Sequence, residues 1–170
     1  MLGQGTYIKV KASLAQFLIE RSWAQSQQSG NRVKPWPWAD TAVSARLSVQ
    51  DLEVEQFVMQ DASGESLAFG PGLIYISDQS DFEQVMAIAG HRDTHFKFLQ
   101  QIEKDTVIEM ENMHGEIQQF RVVETRIYDS DISRLEVSRD SSKLVLITCW
   151  PFDAVVPGGS MRYAVVADLI

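Results

Sequence analysis

Leu144-Val145-Leu146-Ile147-Thr148-Cys149 is a short apolar, strand-like run that closes on a thiol. Cys149 is the only cysteine among 170 residues, so the thiol has no partner for an internal disulfide. It is either a small buried hydrophobe or a reactive group. Thirteen positions on, Arg162 opens the run Arg162-Tyr163-Ala164-Val165-Val166. Fifty-eight positions earlier, His91 follows Gly90 at the end of Val85-Met86-Ala87-Ile88-Ala89. A thiol, an imidazole and a guanidinium, each beside a predicted strand, can form one catalytic group.

The chemistry asks for those three types. A free thiol with a pKa near 8.5 is only about a few per cent thiolate at neutral pH. Nucleophilic use needs a neighbouring cation that favours the charged form, and His91, at a strand end where a side chain can face an open groove, suits that role. Acyl transfer also needs a donor for the oxyanion. Arg162 can supply it, or hold a substrate backbone through its forked guanidinium. Thr148 can add a hydroxyl or backbone contact. Each residue also has a plainer reading: core cysteine, turn histidine, surface arginine.

Strand signals surround this group. Ala45 to Val49 and Leu52 to Val58 alternate apolar with polar residues, as half-buried strands do. Val85 to Ala89, Thr106 to Met110, Gln118 to Ile127, Leu144 to Thr148 and Tyr163 to Val166 complete the set. Ser63 to Phe69 reads as one or two helical turns before the Gly70-Pro71-Gly72 break, and Phe96 to Ile102 as a short helix. Ser130 to Ser142 and Trp150 to Ser160 read as loops. Strands outnumber helices, spacings are short and no strand–helix alternation occurs, which predicts a mainly β fold: a closed or nearly closed β-barrel with small helical insertions.

Two units are expected, 1–42 and 43–170. In the first, Ile8, Ala12, Ala15, Leu18, Ile19 and Trp23 recur at helical spacing between Thr6 and about Gln27, predicting an amphipathic helix with one apolar stripe. Pro35 and Pro37 alternate with Trp36 and Trp38 in a segment that must be extended. Its tryptophans are expected to pack on the barrel surface, with a substrate-side flap as the alternative.

The hydrophobic fraction of 45% is that of a globular protein. A net charge of -8, with no cluster of Lys and Arg to offset it, argues against a nucleic-acid partner. No apolar stretch approaches the roughly 20 residues that span a bilayer, and the first residues carry no signal-peptide pattern. His95 lies four residues after His91, yet no second cysteine or further histidine lies nearby to make a zinc site. His114 reads as a hairpin-turn residue. Glu103, Asp105, Glu109 and Glu111 read as a solvated face rather than a calcium site.

The assembled motifs resemble those of sortases. Val145-Leu146-Ile147-Thr148-Cys149 resembles the family's Thr-Leu-x-Thr-Cys strand with valine in the first position. Ala89-Gly90-His91-Arg92-Asp93-Thr94-His95-Phe96 resembles its histidine motif, and Arg162-Tyr163 its arginine strand. The likeness runs from about Val43 to the C-terminus. Trp150 to Ala154, Pro157-Gly158-Gly159 and the N-terminal helix resemble proteobacterial sortases in particular. An aspartate-proline-aromatic lid, as in some pilus-building relatives, is not matched by Trp36 to Asp40.

The resemblance implies a barrel of about eight strands with catalytic residues His91, Cys149 and Arg162. It further implies a groove beside the two loops, with Thr148, Ala89, Gly90 and Trp150 as candidate substrate-binding residues. The implied reaction is transpeptidation of a protein bearing a Leu-Pro-x-Thr-Gly-like C-terminal sorting signal onto an amine, with no cofactor and no metal. The implied location is the extracytoplasmic face of the bacterial inner membrane, with a membrane anchor preceding the helix and Met1 opening a truncated chain. Two rivals stand beside this reading. One is another cysteine acyl-transfer enzyme; papain-like enzymes place cysteine before histidine, and L,D-transpeptidases carry Ser-His-Gly-Cys, absent here. The other is a non-catalytic β-barrel binding module with a buried cysteine.

Overall fold

The apolar run that ends on Cys149 is a strand at the centre of an eight-stranded closed barrel. This is seen in a computed structural model that describes residues 3–76, 85–137, 141–156 and 158–170. The elements are α1 (Gly3–Ser29), β1 (Val43–Val49), β2 (Val54–Met59), α2 (Gly64–Leu67), β3 (Gly72–Ile76), β4 (Val85–Ala89), β5 (Val107–Asn112), β6 (Ile117–Asp129), β7 (Lys143–Cys149) and β8 (Met161–Leu169), with 3-10 turns at Gln50–Leu52 and Lys97–Gln101. Around the barrel the order is β1-β2-β3-β4-β7-β8-β6-β5, and β5 closes on β1. The β2–β3 and β4–β7 contacts are parallel and the others antiparallel.

Alternation along the strands fills the barrel. Leu47, Val49, Ile88, Leu144, Leu146 and Val165 all point into one core cluster and are fully buried. Burying a side chain of this size contributes about 1.5–3 kcal/mol. Outward-facing Arg46 pairs with Glu55 on β2 at 3.1 Å and with Glu111 on β5. β7 differs because its other face is buried too: Val145 and Ile147 join Val85, Ala87, Ala164, Tyr128, Leu135 and Val137 in a cluster outside the barrel. A strand covered on both faces has to be apolar throughout, which is why this run stands out in the sequence.

Seven of the eight strands are anticipated from the sequence. The eighth, β3, follows directly on the Gly70-Pro71-Gly72 break and pairs antiparallel with β4. Gly72 there lies inside a strand, not a loop: a Cβ on it would stand 2.1 Å from the Asp61 carbonyl oxygen. The expected start of β2 at Leu52 shifts to Val54, because Gln50–Leu52 forms a 3-10 turn. Ser63 caps α2 by accepting from the Ser66 N–H at 3.2 Å.

α1 is a helix, as its spacing predicts, but the apolar stripe is shorter than expected. Ile19 and Trp23 are buried with Ser22 and Ser26, Ala15 and Leu18 are half-buried, Ala12 is exposed, and the Ile8 side chain lies outside the described residues. Ile19 and Trp23 pack with Val43 and Met59, joined by Trp36, Phe57, Phe69 and Met113. Trp36 meets Phe69 edge-on at 5.0 Å and Trp38 is 78% exposed; the Pro35–Trp38 segment is not extended throughout, because the Ala39 N–H closes a turn onto the Trp36 carbonyl at 3.0 Å. Among the described residues, no helix is long and apolar enough to cross a membrane. Of the two expected loops, residues 138–140 and 157 lie outside the described residues, as does Met1.

Candidate active site

Strand register brings Cys149, Arg162 and His91 to the same end of the sheet. Cys149 on β7 is directly opposite Arg162 on β8. β4 runs parallel to β7 with Ala89 level with Ile147, and two residues further on in each chain stand His91 and Cys149. On the other side Arg162 is opposite Tyr128 on β6. With strands spaced about 4.8 Å apart, the order His91, Cys149, Arg162, Tyr128 forms one transverse row. Residues two apart share a face, so Cys149 shares its face with Val145 and Ile147, and Arg162 shares its own with Ala164. The thiol therefore stands at the end of the outer apolar cluster, half-buried, and not inside the barrel core.

The turn carrying His91 is fixed from both sides. The Gly90 N–H donates to the Ile147 carbonyl at 3.1 Å, and the Thr148 hydroxyl donates to the Gly90 carbonyl at 2.7 Å. Phe96 donates its N–H back to the His91 carbonyl at 3.0 Å and lays its ring against Gly90. A Cβ on Gly90 would meet that ring at 2.7 Å, so glycine is required by the close approach. His91 itself is exposed, where its ring is open to solvent.

Arg162 is half-buried, and its Nη1 donates to the Gly159 carbonyl at 2.8 Å and the Met161 carbonyl at 3.0 Å. Burial raises the Tyr128 phenol above its ordinary range, while the Arg162 guanidinium pulls it down. The phenol therefore stays protonated at neutral pH and can donate. Tyr128 and Leu135 also line a recess of about 580 Å³ between β6 and the loop that follows it. From Val145 to Cys149 the apolar floor runs about 13 Å, the length of roughly four extended residues.

The remaining candidates divide. Ala89 is half-buried, level with Ile147 on the row's side of the sheet. Gly90 is buried under Phe96. Thr148 is 3% exposed and its hydroxyl is engaged by Gly90, so it holds the two strand ends together and its side chain does not reach the groove. Trp150 stacks on Tyr163 at 5.7 Å and lines a different cavity, of about 800 Å³, shared with Arg92, Asp93, Lys97 and Phe152. Tyr163 leaves β8 on the face opposite Arg162, which puts this cavity across the sheet from the apolar floor. His114 is an exposed residue of the β5–β6 hairpin, where Asn112 caps its N–H at 2.9 Å. Glu109 is bonded by Gln119 and Gln50, which holds its carboxyl below the usual range.

His95 sits behind the row, with Nδ1 3.3 Å from the Gln56 side-chain oxygen. Burial, and secondarily the charge of His91, lowers its pKa from the usual histidine value of 6.5. Between that lowered value and 6.5 the unfolded chain binds the extra proton, so this contribution to stability is present above pH 6.5 and lost as pH falls through the folded value. Thermal melts at pH 7.5 and 5.5 are expected to show a loss at acid pH that His95→Gln diminishes. An unchanged acid loss in the variant would assign it to other groups.

The sequence reading passed over Tyr128 and the burial of Arg92. β6 was expected to end one residue short of Tyr128, and its partner across β8 is a matter of tertiary register. Arginine is ordinarily a surface residue, and nothing in a single sequence says otherwise here.

The closed barrel sets a thiol opposite a guanidinium, with an imidazole at the adjoining strand end. The sortase-domain family model matches residues 47–170. The chain belongs to the sortase family. Sortase D from Bacillus subtilis (strain 168) is 27% identical over 113 residues, which cover 66% of this chain and 57% of that protein. Sortase A from Corynebacterium diphtheriae shares the fold with a TM-score of 0.67 at 21% identity, covering 82% of this chain and 65% of that one. Listeria monocytogenes sortase A superposes with a TM-score of 0.62 at 20% identity, over 75% of this chain and 87% of that one. The match thus spans less than two thirds of the length of the first two relatives.

Proposed function

We propose that this chain is a cysteine transpeptidase acting on proteins with a C-terminal sorting signal of Leu-Pro-x-Thr-Gly type. The observation that supports the reading is register: Cys149 and Arg162 face each other across β7 and β8, and His91 follows the end of β4, two residues beyond the pairing of Ala89 with Ile147. In this reading the Cys149 thiolate attacks the carbonyl carbon after the threonine. The tetrahedral intermediate collapses as His91 protonates the departing glycine amine, leaving a thioester. An incoming amine, deprotonated by His91, attacks the thioester and releases the thiol. Arg162 stabilises the oxyanion or holds the signal backbone.

The apolar floor of Val145, Ile147, Ala87 and Ala164, with Leu135 beside it, suits an extended apolar segment such as Leu-Pro leading to the scissile bond. No cofactor enters this chemistry. The acceptor is an amine of a second protein or of the cell envelope, and the reaction belongs on the extracytoplasmic face of the bacterial inner membrane. The half-exposed thiol weighs against a core cysteine in a non-catalytic module.

Incubating the protein with a library of sorting-signal peptides and no amine tests this directly. Mass spectrometry is expected to find an acyl adduct on Cys149, with the mass of the peptide up to its threonine. Added amine should discharge that adduct to the amide. Peptides recovered intact, with Cys149 unmodified, would sink the reading.

A further inference from the structure

The residue after His91 is an arginine that the solvent barely touches. Arg92 is 6% exposed, and a buried guanidinium is costly unless its donors are satisfied. They are satisfied by one loop. Nη1 donates to the Pro151 carbonyl at 2.9 Å, and Nη2 to the Ala154 and Val156 carbonyls at 3.1 and 3.4 Å. Nε faces the exposed Asp93 carboxylate at 3.6 Å.

That loop joins the nucleophile strand to the arginine strand. It starts two residues after Cys149, and at its far end Gly159 accepts from Arg162. The tip has no apolar anchor of its own, since Val155 and Val156 are 96% and 76% exposed. Among the described residues it is held by the Trp150–Phe152–Tyr163 aromatic group at the base, by Ser130, whose N–H and hydroxyl donate to the Ser160 carbonyl at 2.9 and 2.8 Å, and by the two arginines.

We propose that Arg92 is a positioning residue for the transpeptidation, clamping the Pro151–Val156 loop so that His91, Cys149 and Arg162 keep their relative placement. Arg92 is covalently next to His91, its first acceptor is two residues from Cys149, and the loop it holds runs on to the anchor of Arg162. A fork reaching three carbonyls at once is something a guanidinium does and an ammonium does not. Misplacement of a reacting group by about 1 Å costs roughly 100-fold in rate. This inference rests on the reading of His91, Cys149 and Arg162 as the reacting groups.

The test compares the full chain with Arg92→Met, Arg92→Lys and Val49→Ala. The last removes core volume on β1, which neighbours neither β7 nor β8 in the barrel, and matches a general loss of stability. Alkylation of Cys149 by iodoacetamide at pH 7 needs no substrate, and Arg92→Met is expected to slow it by about fivefold or more as the thiol loses its placed imidazole. With a sorting-signal peptide, kcat should fall roughly 100-fold while KM changes less than about threefold, and Arg92→Lys should recover only part of both. Val49→Ala should melt lower yet keep native alkylation and kcat. If Arg92→Met fails to fold, Arg92→Lys carries the comparison, with slower alkylation still expected. Alkylation of both Arg92 variants at the native rate would overturn the clamp. A native chain that turns over no peptide would instead sink the function, while the alkylation comparison still decides the role of Arg92.

Discussion

Cys149→Ala is expected to lower turnover of a sorting-signal peptide by about 10⁴-fold or more, because removal of a covalent nucleophile leaves only binding and electrostatic help. The same change should leave the melting temperature within about 4 °C of the native chain. The thiol is half-buried at the end of β7, outside the barrel core, and its deletion opens no internal cavity. The strand itself is held by its β8 register and by Lys143, which pairs with Asp168 at 2.6 Å at the far end. Peptide assays and melts on the same preparation check both halves. Retained turnover would remove the thioester from the mechanism, and a collapsed fold would show that the thiol is structural.

Arg162→Gln is expected to lower kcat by about 10²–10³-fold, the usual scale for loss of an oxyanion donor. The glutamine keeps some polar reach but loses the charge and the fork. It also loses the Nη1 contacts to Gly159 and Met161, which hold the guanidinium at the level of Cys149. Arg162→Lys should remain at least about tenfold impaired, since one ammonium cannot hold those carbonyls and face a developing oxyanion together. Burst kinetics with a chromogenic thioester or peptide separate acylation from deacylation. A kcat within about threefold of native in Arg162→Gln would confine this residue to holding its own loop.

Much of the architecture was legible because β7 is apolar on both faces while strands such as β1 and β5 alternate, so hydrophobic pattern marks most strands. β3 escaped because Pro71 just before it and Gly72, its first residue, read as punctuation, and only the approach of the Asp61 carbonyl explains a glycine at the head of a strand. The three reacting types could be named from motif resemblance, but their row could not, since it depends on which residue of β4 lies level with which residue of β7. Thr148 shows the same limit in reverse. It adjoins Cys149 in sequence, and the two-residue alternation of a strand turns its side chain to the interior. The burial of Arg92 carries no sequence signal, because its three acceptors are backbone carbonyls about 60 residues away, and carbonyls have no letter in a sequence.

The parallel contact between β4 and β7 joins segments separated by more than 50 residues, with β5 and β6 formed between them in the chain. Pairings of such long range form late, after local hairpins such as β5–β6. On the proposed mechanism, Cys149 gains its imidazole neighbour only when that seam closes, so its nucleophilicity would follow the β4–β7 pairing, and a chain not yet so paired would lack it.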